Sequence, residues 1–192
     1  MESTLSDKEL VLKTINGLND GFEQLVKRYS GKLYFFIFNR TSNREDTEDI
    51  IQETFLKAYR NLSKYDPKWQ FSTWIYTIAS RTAVSHFRHK NISYNNPLME
   101  VPAILTPEEE LLKTDINNIW FHARKLGKSK FEILWLRYNE GMTLKEIGKV
   151  INKSPVNTRV TLHRAKTALT KILIVSDESN NIINGNMKKN LV

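Results

Sequence analysis

The stretch of sequence that decides the fold runs from residue 142 to residue 171 and reads MTLKEIGKVINKSPVNTRVTLHRAKTALTK. Thr143 and Glu146 have the spacing of a capping box, which predicts the start of a short helix. Gly148 lies where a second helix must approach closely, so a small residue is needed there. Asn152 occupies a tight turn that needs a positive φ, which Asn tolerates better than most residues. These features predict a short helix followed by a tight turn.

A second, longer helix is predicted after the turn. Ser154 and Pro155 have the residue types that open a helix, as its N-cap and its first-turn proline. One side of this helix is predicted to be buried and carries Leu162, Ala165, Leu169 and Ile172. Another side carries Arg159, His163, Lys166 and Thr170. Such a helix suits the major groove of DNA, where Arg reads guanine edges and both Arg and Lys hold phosphates.

The charge of the chain bears on the same point. The net charge is +8, and residues 119–175 alone hold 12 Lys and Arg against three Asp and Glu. A basic block of this kind is typical of nucleic-acid binders. The alternative is an ordinary helical hairpin whose basic face only keeps the protein in solution, and charge alone does not separate the two. The small residue, the turn Asn and the N-cap fall in register beside the basic block, which favours a DNA-binding helix-turn-helix.

The sequence upstream is also helical in its pattern. Asp20 and Glu23 have capping-box spacing ahead of an apolar stripe. A second helix is predicted from Arg44 to Tyr65, with an acidic first turn that suits a helix N-terminus. The Pro-containing segment at residues 66–68 breaks the pattern, and a third helix is predicted from Ser72 to His89.

Residues 91–107 combine several Asn and Pro residues with little periodicity, which predicts an irregular linker. The helical pattern resumes at Glu108, and Ser129 and Glu132 have the spacing of another capping box. The predicted fold class is therefore all-α, with two small helical domains. The predicted divisions are a first domain at 1–90, the linker at 91–107, a second domain at 108–175 and a disordered tail at 176–192.

Several classes of function find no support. The chain contains no Cys, so neither a disulfide framework nor a thiolate metal site is predicted. The N-terminus has no long apolar run, so neither a signal peptide nor a membrane span is predicted, and the protein is expected in the cytoplasm. There is no Gly-rich phosphate loop, and His86 and His89 lie one helical turn apart without a third metal ligand. We therefore expect no enzyme activity, no cofactor and no metal.

Two segments carry a resemblance to a known family. Phe131–Leu173, with ILWLRYNEGMTLKEIGKVINKSPVNTRVTLHRAKTAL, resembles region four of extracytoplasmic-function sigma factors. Phe22–Arg88, with EDTEDIIQETFLKAYRNLSKYDP and FSTWIYTIASRTAV, resembles region two of the same family. The resemblance implies a factor that directs bacterial RNA polymerase core to promoters and initiates transcription.

For the second domain the resemblance implies contacts to the −35 promoter element. The residues implied are Ser154, Asn157, Thr158, Arg159, His163, Arg164 and Lys166. Thr161 stands where the family commonly has Arg, so one cationic contact of the family is missing. Promoter preference is therefore expected to differ from that of relatives.

For the first domain the resemblance implies contacts to the opened −10 element, where an unstacked base is held by the protein. The residues implied are Lys68, Trp69, Thr73, Tyr76, Arg81 and Arg88. Aromatic surface and cations are what such a site needs. The alternative is that most of these aromatic residues are simply core. Arg81 and Ser85 replace the Asn and Asp often seen in this helix of the family.

Partners are implied as well. Asp49, Gln52 and Glu53 are expected to dock on the β′ clamp helices of the polymerase, while Phe55 is expected in the core. The alternative is a solvated acidic helix start. The β flap and an anti-sigma factor are the other protein partners implied. The rival to this interpretation is a helix-turn-helix regulator that binds duplex DNA alone and does not dock on core polymerase.

Overall fold

A computed structural model describes residues 5–18, 20–90 and 115–189, with the side chains of the last segment placed from 119 to 174. All regular elements in these ranges are helices, in two groups, which confirms the predicted fold class. The predicted linker at 91–107 and the predicted helix start at Glu108 lie outside the described residues.

The first group of helices spans residues 7–89. Its elements are α1 (Asp7–Ile15), α2 (Asp20–Thr41), α3 (Arg44–Arg60), a 3₁₀ turn (Leu62–Lys64) and α4 (Phe71–His89). α2 is the central helix, because α1, α3 and α4 all pack on it. Phe36 of α2, Phe71 and Ile75 of α4 are fully buried in the resulting core.

Two helix ends of this group differ from the sequence predictions. The capping box lies at Ser6 and Glu9, where the Glu9 carboxylate accepts a hydrogen bond from the Ser6 amide at 2.7 Å. Asp20 instead lies in the first turn of α2 and forms an ion pair with Lys13 at 2.5 Å. The predicted second helix ends at Arg60 rather than Tyr65, because the chain tightens into the 3₁₀ turn.

A buried carboxylate ties α3 to α4. Asp46 contacts His86 Nε2 at 3.0 Å and also accepts a hydrogen bond from the Lys90 ammonium. Burial works to raise the pKa of Asp46, but hydrogen bonds from Lys90 and His86 outweigh it and hold the pKa below its ordinary value. His86 is therefore engaged in a structural contact between two helices.

The second group of helices spans residues 115–189. Its elements are α5 (Asp115–Arg124), α6 (Lys128–Leu134), a π-helical turn (Trp135–Asn139), α7 (Leu144–Ile151) and α8 (Pro155–Lys189). Gly141, with φ +66°, lies between the π turn and α7, where its left-handed backbone ends the helical run that begins at Lys128. α8 packs on α5, α6 and α7 and so holds the group together.

Two predictions in this group need correction. α6 begins after Gly127 with no side-chain cap, so Ser129 and Glu132 form no capping box, and the Glu132 carboxylate binds Arg40 of α2 instead. α8 continues to Lys189, so residues 176–189 are helical where the sequence predicts a disordered tail. The segment contains no proline, and extending an existing helix costs far less than starting one.

Candidate nucleic-acid interface

The helix-turn-helix forms as the sequence predicts. The Glu146 carboxylate accepts a hydrogen bond from the Thr143 amide at 2.8 Å, and the Thr143 hydroxyl accepts one from the Glu146 amide at 3.3 Å. Asn152 has left-handed backbone angles, φ 54° and ψ 51°. A Cβ at Gly148 would lie 2.7 Å from the carbonyl oxygen of Lys153, so the turn can close over this position only without a side chain.

The second helix of the motif, α8, presents a basic outer face. The Ser154 hydroxyl accepts a hydrogen bond from the Asn157 amide at 3.3 Å, which confirms Ser154 as the N-cap. The implied DNA-contact residues that lie exposed are Ser154, Asn157, Arg159, His163, Arg164 and Lys166. Among the described residues, Arg159, Arg164 and Lys166 have no carboxylate within 4 Å. These cations are free to meet an external anion such as a DNA phosphate.

Two threonines of α8 are occupied within the protein. Thr158 was implied as a DNA contact, but its side chain is fully buried and its hydroxyl donates to the Ser154 carbonyl at 2.9 Å. It packs beside Gly148, where an added Cβ would lie 3.2 Å from the Thr158 hydroxyl oxygen, and so it closes the motif rather than facing DNA. Thr161 donates to the Asn157 carbonyl at 2.7 Å, so it does not replace the missing cation.

The residues implied for the −10 element divide into two sets. The first set contacts the second group of helices and consists of Trp69, just before α4, and of Thr73 and Tyr76 in the first two turns of α4. Lys149 of α7 lies over the Trp69 ring at 3.8 Å, and the Thr73 hydroxyl donates to Glu146 at 3.1 Å. Thr73 and Tyr76 are fully buried, so this part of the implied DNA surface is covered in the structure.

The second set is exposed. Arg81 and Arg88 lie on later turns of α4 and line a cleft of about 350 Å³ together with Lys149. Lys68 is exposed in the loop before α4, where its amide donates to the Asp66 carboxylate at 3.0 Å. The exposed cations are therefore accessible, whereas Thr73 and Tyr76 are buried and Trp69 is half-buried beneath Lys149 of α7.

The residues implied for polymerase docking lie on the outer side of α3. Asp49 and Gln52 are exposed, and Glu53 is half-buried and pairs with Lys57 at 3.3 Å. Phe55 is buried in the core, as expected. The three docking residues are thus accessible, and none of them is needed to close the core.

Two exposed apolar residues that the sequence patterns did not single out lie on this same side of α3. Leu56 and Tyr59 are 44% and 48% exposed, and they continue the line of Asp49 and Gln52 at spacings of four and three. The Tyr59 ring covers the edge of the core, with its centre 5.1 Å from the centre of the Phe22 ring. The spacing from Asp49 was the signal that could have located both residues.

Comparison with known proteins agrees with the two groups of helices. The family described as Sigma-70 region 2 matches residues 25–92, and the family described as Sigma-70, region 4 matches residues 124–169. The ECF RNA polymerase sigma factor SigW of Bacillus subtilis is 28% identical over 179 residues, which cover 86% of this chain and 96% of SigW. The ECF RNA polymerase sigma-E factor of Haemophilus influenzae is 29% identical over 183 residues, with 86% and 94% covered. The chain belongs to the extracytoplasmic-function group of the sigma-70 family.

Two solved structures share the fold of this sigma factor. One is CnrH in complex with the cytosolic domain of CnrY, with a TM-score of 0.60, 21% identity, and 88% of this chain and 97% of that chain covered. The other is the sigma factor RpoE in complex with the anti-sigma factor NepR from Bartonella quintana, with a TM-score of 0.60, 18% identity, and 82% and 98% covered. The first group of helices is hereafter region 2, and the second group is region 4.

Region 2 and region 4 are joined by a buried ion pair. Arg40 at the end of α2 donates two hydrogen bonds to the Glu132 carboxylate, at 2.6 and 3.0 Å, and a third to the Ser80 carbonyl at 3.3 Å. The two charged side chains are only 3% and 7% exposed. The Arg40 guanidinium also lies 4.8 Å from the centre of the Phe36 ring. The two side chains stay paired because both are buried, so neither charge could exchange its partner for water.

A second polar contact lies beside the ion pair. Trp135, in the π turn of region 4, donates its indole N–H to the Tyr76 hydroxyl at 3.1 Å. Burial, together with the nearby Glu140 carboxylate, raises the pKa of Tyr76 well above its ordinary value. Tyr76, implied as a DNA contact, is in this structure a buried contact between the regions. Its use by DNA requires region 4 to move away.

Region 4 also carries an apolar groove. It has a volume of about 440 Å³ and lies between α5, the π turn and α8. Its lining includes Ile119, Trp120, Leu134, Leu169 and Leu173.

None of the helices in the described ranges combines the length and the apolar character that a membrane span requires.

Proposed function

We propose that this sigma factor directs bacterial RNA polymerase core to specific promoters and initiates transcription there. The observation that carries the proposal is the outer face of α8, where exposed cations without carboxylate partners follow a well-formed helix-turn-helix turn. The sigma-70 family consists of factors that are not enzymes, and in this proposal the catalytic metal and the chemistry belong to the polymerase. The factor acts in the cytoplasm, where that polymerase works.

Region 4 binds the −35 element while it is double-stranded DNA. The N-terminal turns of α8 enter the major groove, so that Arg159, His163 and Arg164 reach base edges or phosphates, while Ser154, Asn157 and Lys166 hold the flanking backbone. Thr158 has no direct part in this contact, because it is buried behind Gly148.

Region 2 captures the opened −10 strand. Trp69 and Tyr76 offer aromatic surface for an unstacked base, Thr73 lies between them on α4, and Lys68, Arg81 and Arg88 offer cations for the strand backbone. Because α7 contacts Trp69 and Thr73 and the π turn covers Tyr76, this step requires the two regions to separate first. Binding to core polymerase, where the regions spread apart, provides that separation.

The outer side of α3 docks on the β′ clamp helices. Asp49, Gln52 and Glu53 supply polar contacts, and Leu56 supplies exposed apolar surface on the same line. An interface that joins a polar rim to an apolar centre is the usual composition of a protein–protein contact.

The β flap and an anti-sigma factor are the remaining partners proposed. The apolar groove of region 4 is the surface best suited to a helix of either one, since it is open and lined mainly by Leu, Ile and Trp side chains. The anti-sigma proposal is further supported by the solved relatives, which were captured with CnrY and with the anti-sigma factor NepR.

Transcription in vitro separates this proposal from a regulator that works without docking. Core polymerase is supplied with a library of templates that carry randomised upstream sequence, with and without the full-length chain. We expect transcripts to start downstream of a shared pair of elements only when the chain is present. A chain that binds duplex DNA alone, yet starts no transcript with core polymerase, is a regulator, and the proposal then fails.

A further inference from the structure

Two valines lie on the outermost side of the DNA-facing helix. Val156 is 72% exposed and Val160 is 42% exposed, and they are one helical turn apart near the start of α8. Residues at this spacing are neighbours on a helix surface. Together they form a short apolar strip on a face that is otherwise polar and cationic.

The strip lies in the middle of that face. With about 100° between successive residues of an α-helix, Arg159 and His163 fall on one flank of Val160, and Asn157 and Arg164 fall on the other. The buried side of the helix, marked by Ala165, points the opposite way. Val160 therefore lies at the centre of the face of α8 that a ligand would contact.

Neither folding nor helix stability accounts for valine at these positions. The exposed strip adds little to the core of region 4, and Val has a lower helix propensity than most residues. Single exposed valines are common on protein surfaces and need no explanation. Two of them on one line, within the first two turns of a recognition helix, are placed where base edges are read.

We propose that Val156 and Val160 select thymine in the −35 element by contact with its C5-methyl group. The C5-methyl of thymine is the apolar feature that base edges present in the major groove, whereas the other edges present donors and acceptors that valine cannot satisfy. Placing valine against those edges removes water from polar atoms without replacing it. The inference rests on the proposed function, because it assumes that α8 reads the −35 duplex.

Removal of the methyl group tests the contact. Promoters are first enriched from the randomised template library with core polymerase and the full-length chain. Each thymine of the enriched −35 element is then replaced by deoxyuridine, which differs only in lacking the methyl group. Affinity of the reconstituted complex is measured by competition between the two templates. We expect the affinity to fall roughly fourfold when a contacted thymine is replaced, because that is the effect of losing one buried methyl group.

The protein side of the contact has a matched control. Val156→Ser with Val160→Ser should remove the preference for thymine over deoxyuridine, since no apolar surface remains. Ile174→Ser changes an apolar residue that is 53% exposed further along α8, and it should leave the preference intact. Both positions are exposed and Ser and Val have similar helix propensities, so the double variant should keep its fold.

The outcomes separate the inference from the function on which it rests. Enriched promoters whose −35 thymines tolerate deoxyuridine without loss overturn the inference alone, as does a double variant that still prefers thymine. Failure to enrich any promoter overturns the proposed function, and the inference falls with it. A preference for thymine that disappears in the double variant, and only there, supports both.

Discussion

Replacing Glu132 by Gln should release region 4 from region 2. The substitution keeps the shape of the side chain but leaves the Arg40 guanidinium buried, 3% exposed, without its countercharge. Breaking a buried ion pair from one side costs about 3–5 kcal/mol, because the remaining charge has neither partner nor water. The cost disappears if the regions separate and water reaches Arg40. A penalty of this size shifts the ratio of closed to open chains by a factor of roughly 10² to 5 × 10³.

The distance between the regions is the quantity to measure. The chain contains no Cys, so single cysteines can be introduced at exposed Arg60 of region 2 and Lys171 of region 4 and labelled for distance measurement. We expect a narrow distribution for the parent chain and a longer, broader one for Glu132→Gln. Glu48→Gln is the matched control, since it breaks the exposed pair with Arg44 and should change nothing.

Replacing both charges at once shows whether the regions open because one buried charge is left unpaired or because packing is lost. Arg40→Met with Glu132→Met puts apolar side chains of similar length in place of the pair, and such replacements are often neutral or stabilising. The double variant should therefore return to the closed distance. If Glu132→Gln stays closed, or if the double variant opens as far as Glu132→Gln does, the buried ion pair is not what holds the regions together.

Three further predictions concern single residues. Arg159→Ala should weaken binding to the −35 duplex by about 1–3 kcal/mol and relax the base preference there, measured by fluorescence anisotropy; unchanged affinity would remove Arg159 from the contact. Gly148→Ala should lower the free energy of unfolding by about 1–3 kcal/mol, because the new Cβ meets the turn carbonyl at 2.7 Å. Gly31→Ala, where the Cβ meets nothing within 4 Å, should instead be neutral or stabilising in the same thermal melts. Since the pKa of Asp46 is lowered in the folded protein, its carboxylate stabilises the fold above its unfolded pKa, and this contribution is lost as the pH falls through the folded pKa. The stability difference between the parent chain and Asp46→Asn should thus hold steady from about pH 7 to about pH 5 and shrink as the pH falls below about 4, in urea melts at a series of pH values. A difference that stays constant below about pH 4 would contradict the ion contacts of Asp46.

The helix-turn-helix could be predicted from sequence because its signals are local. The capping box at Thr143, the left-handed Asn152 and the N-cap Ser154 each depend on residues three or fewer positions away. The same local rule failed at Ser129 and Glu132, where the spacing was right but the carboxylate had a stronger partner. That partner, Arg40, is 92 positions away, and nothing in the spacing could indicate it.

The candidate site was predictable in outline and not in exposure. Helical periodicity located the α8 face, because it decides which residues share a side of a helix, whereas the α3 face was implied only by the family resemblance. It could not tell that Thr158 is buried against Gly148, or that Tyr76 is covered by Trp135. Both depend on which residue of another helix packs at that position, and helical periodicity carries no information about contacts between helices.

Docking on core polymerase is the central claim, and co-elution in gel filtration tests it most directly. The parent chain is compared with Asp49→Ala/Gln52→Ala, and with Glu23→Ala/Gln24→Ala, which removes one exposed acid and one exposed amide from α2 instead. The account predicts that the parent and the α2 variant co-elute with core polymerase, while the α3 variant co-elutes weakly or not at all. Elution of the parent chain apart from core polymerase, or equal co-elution of all three, would contradict it.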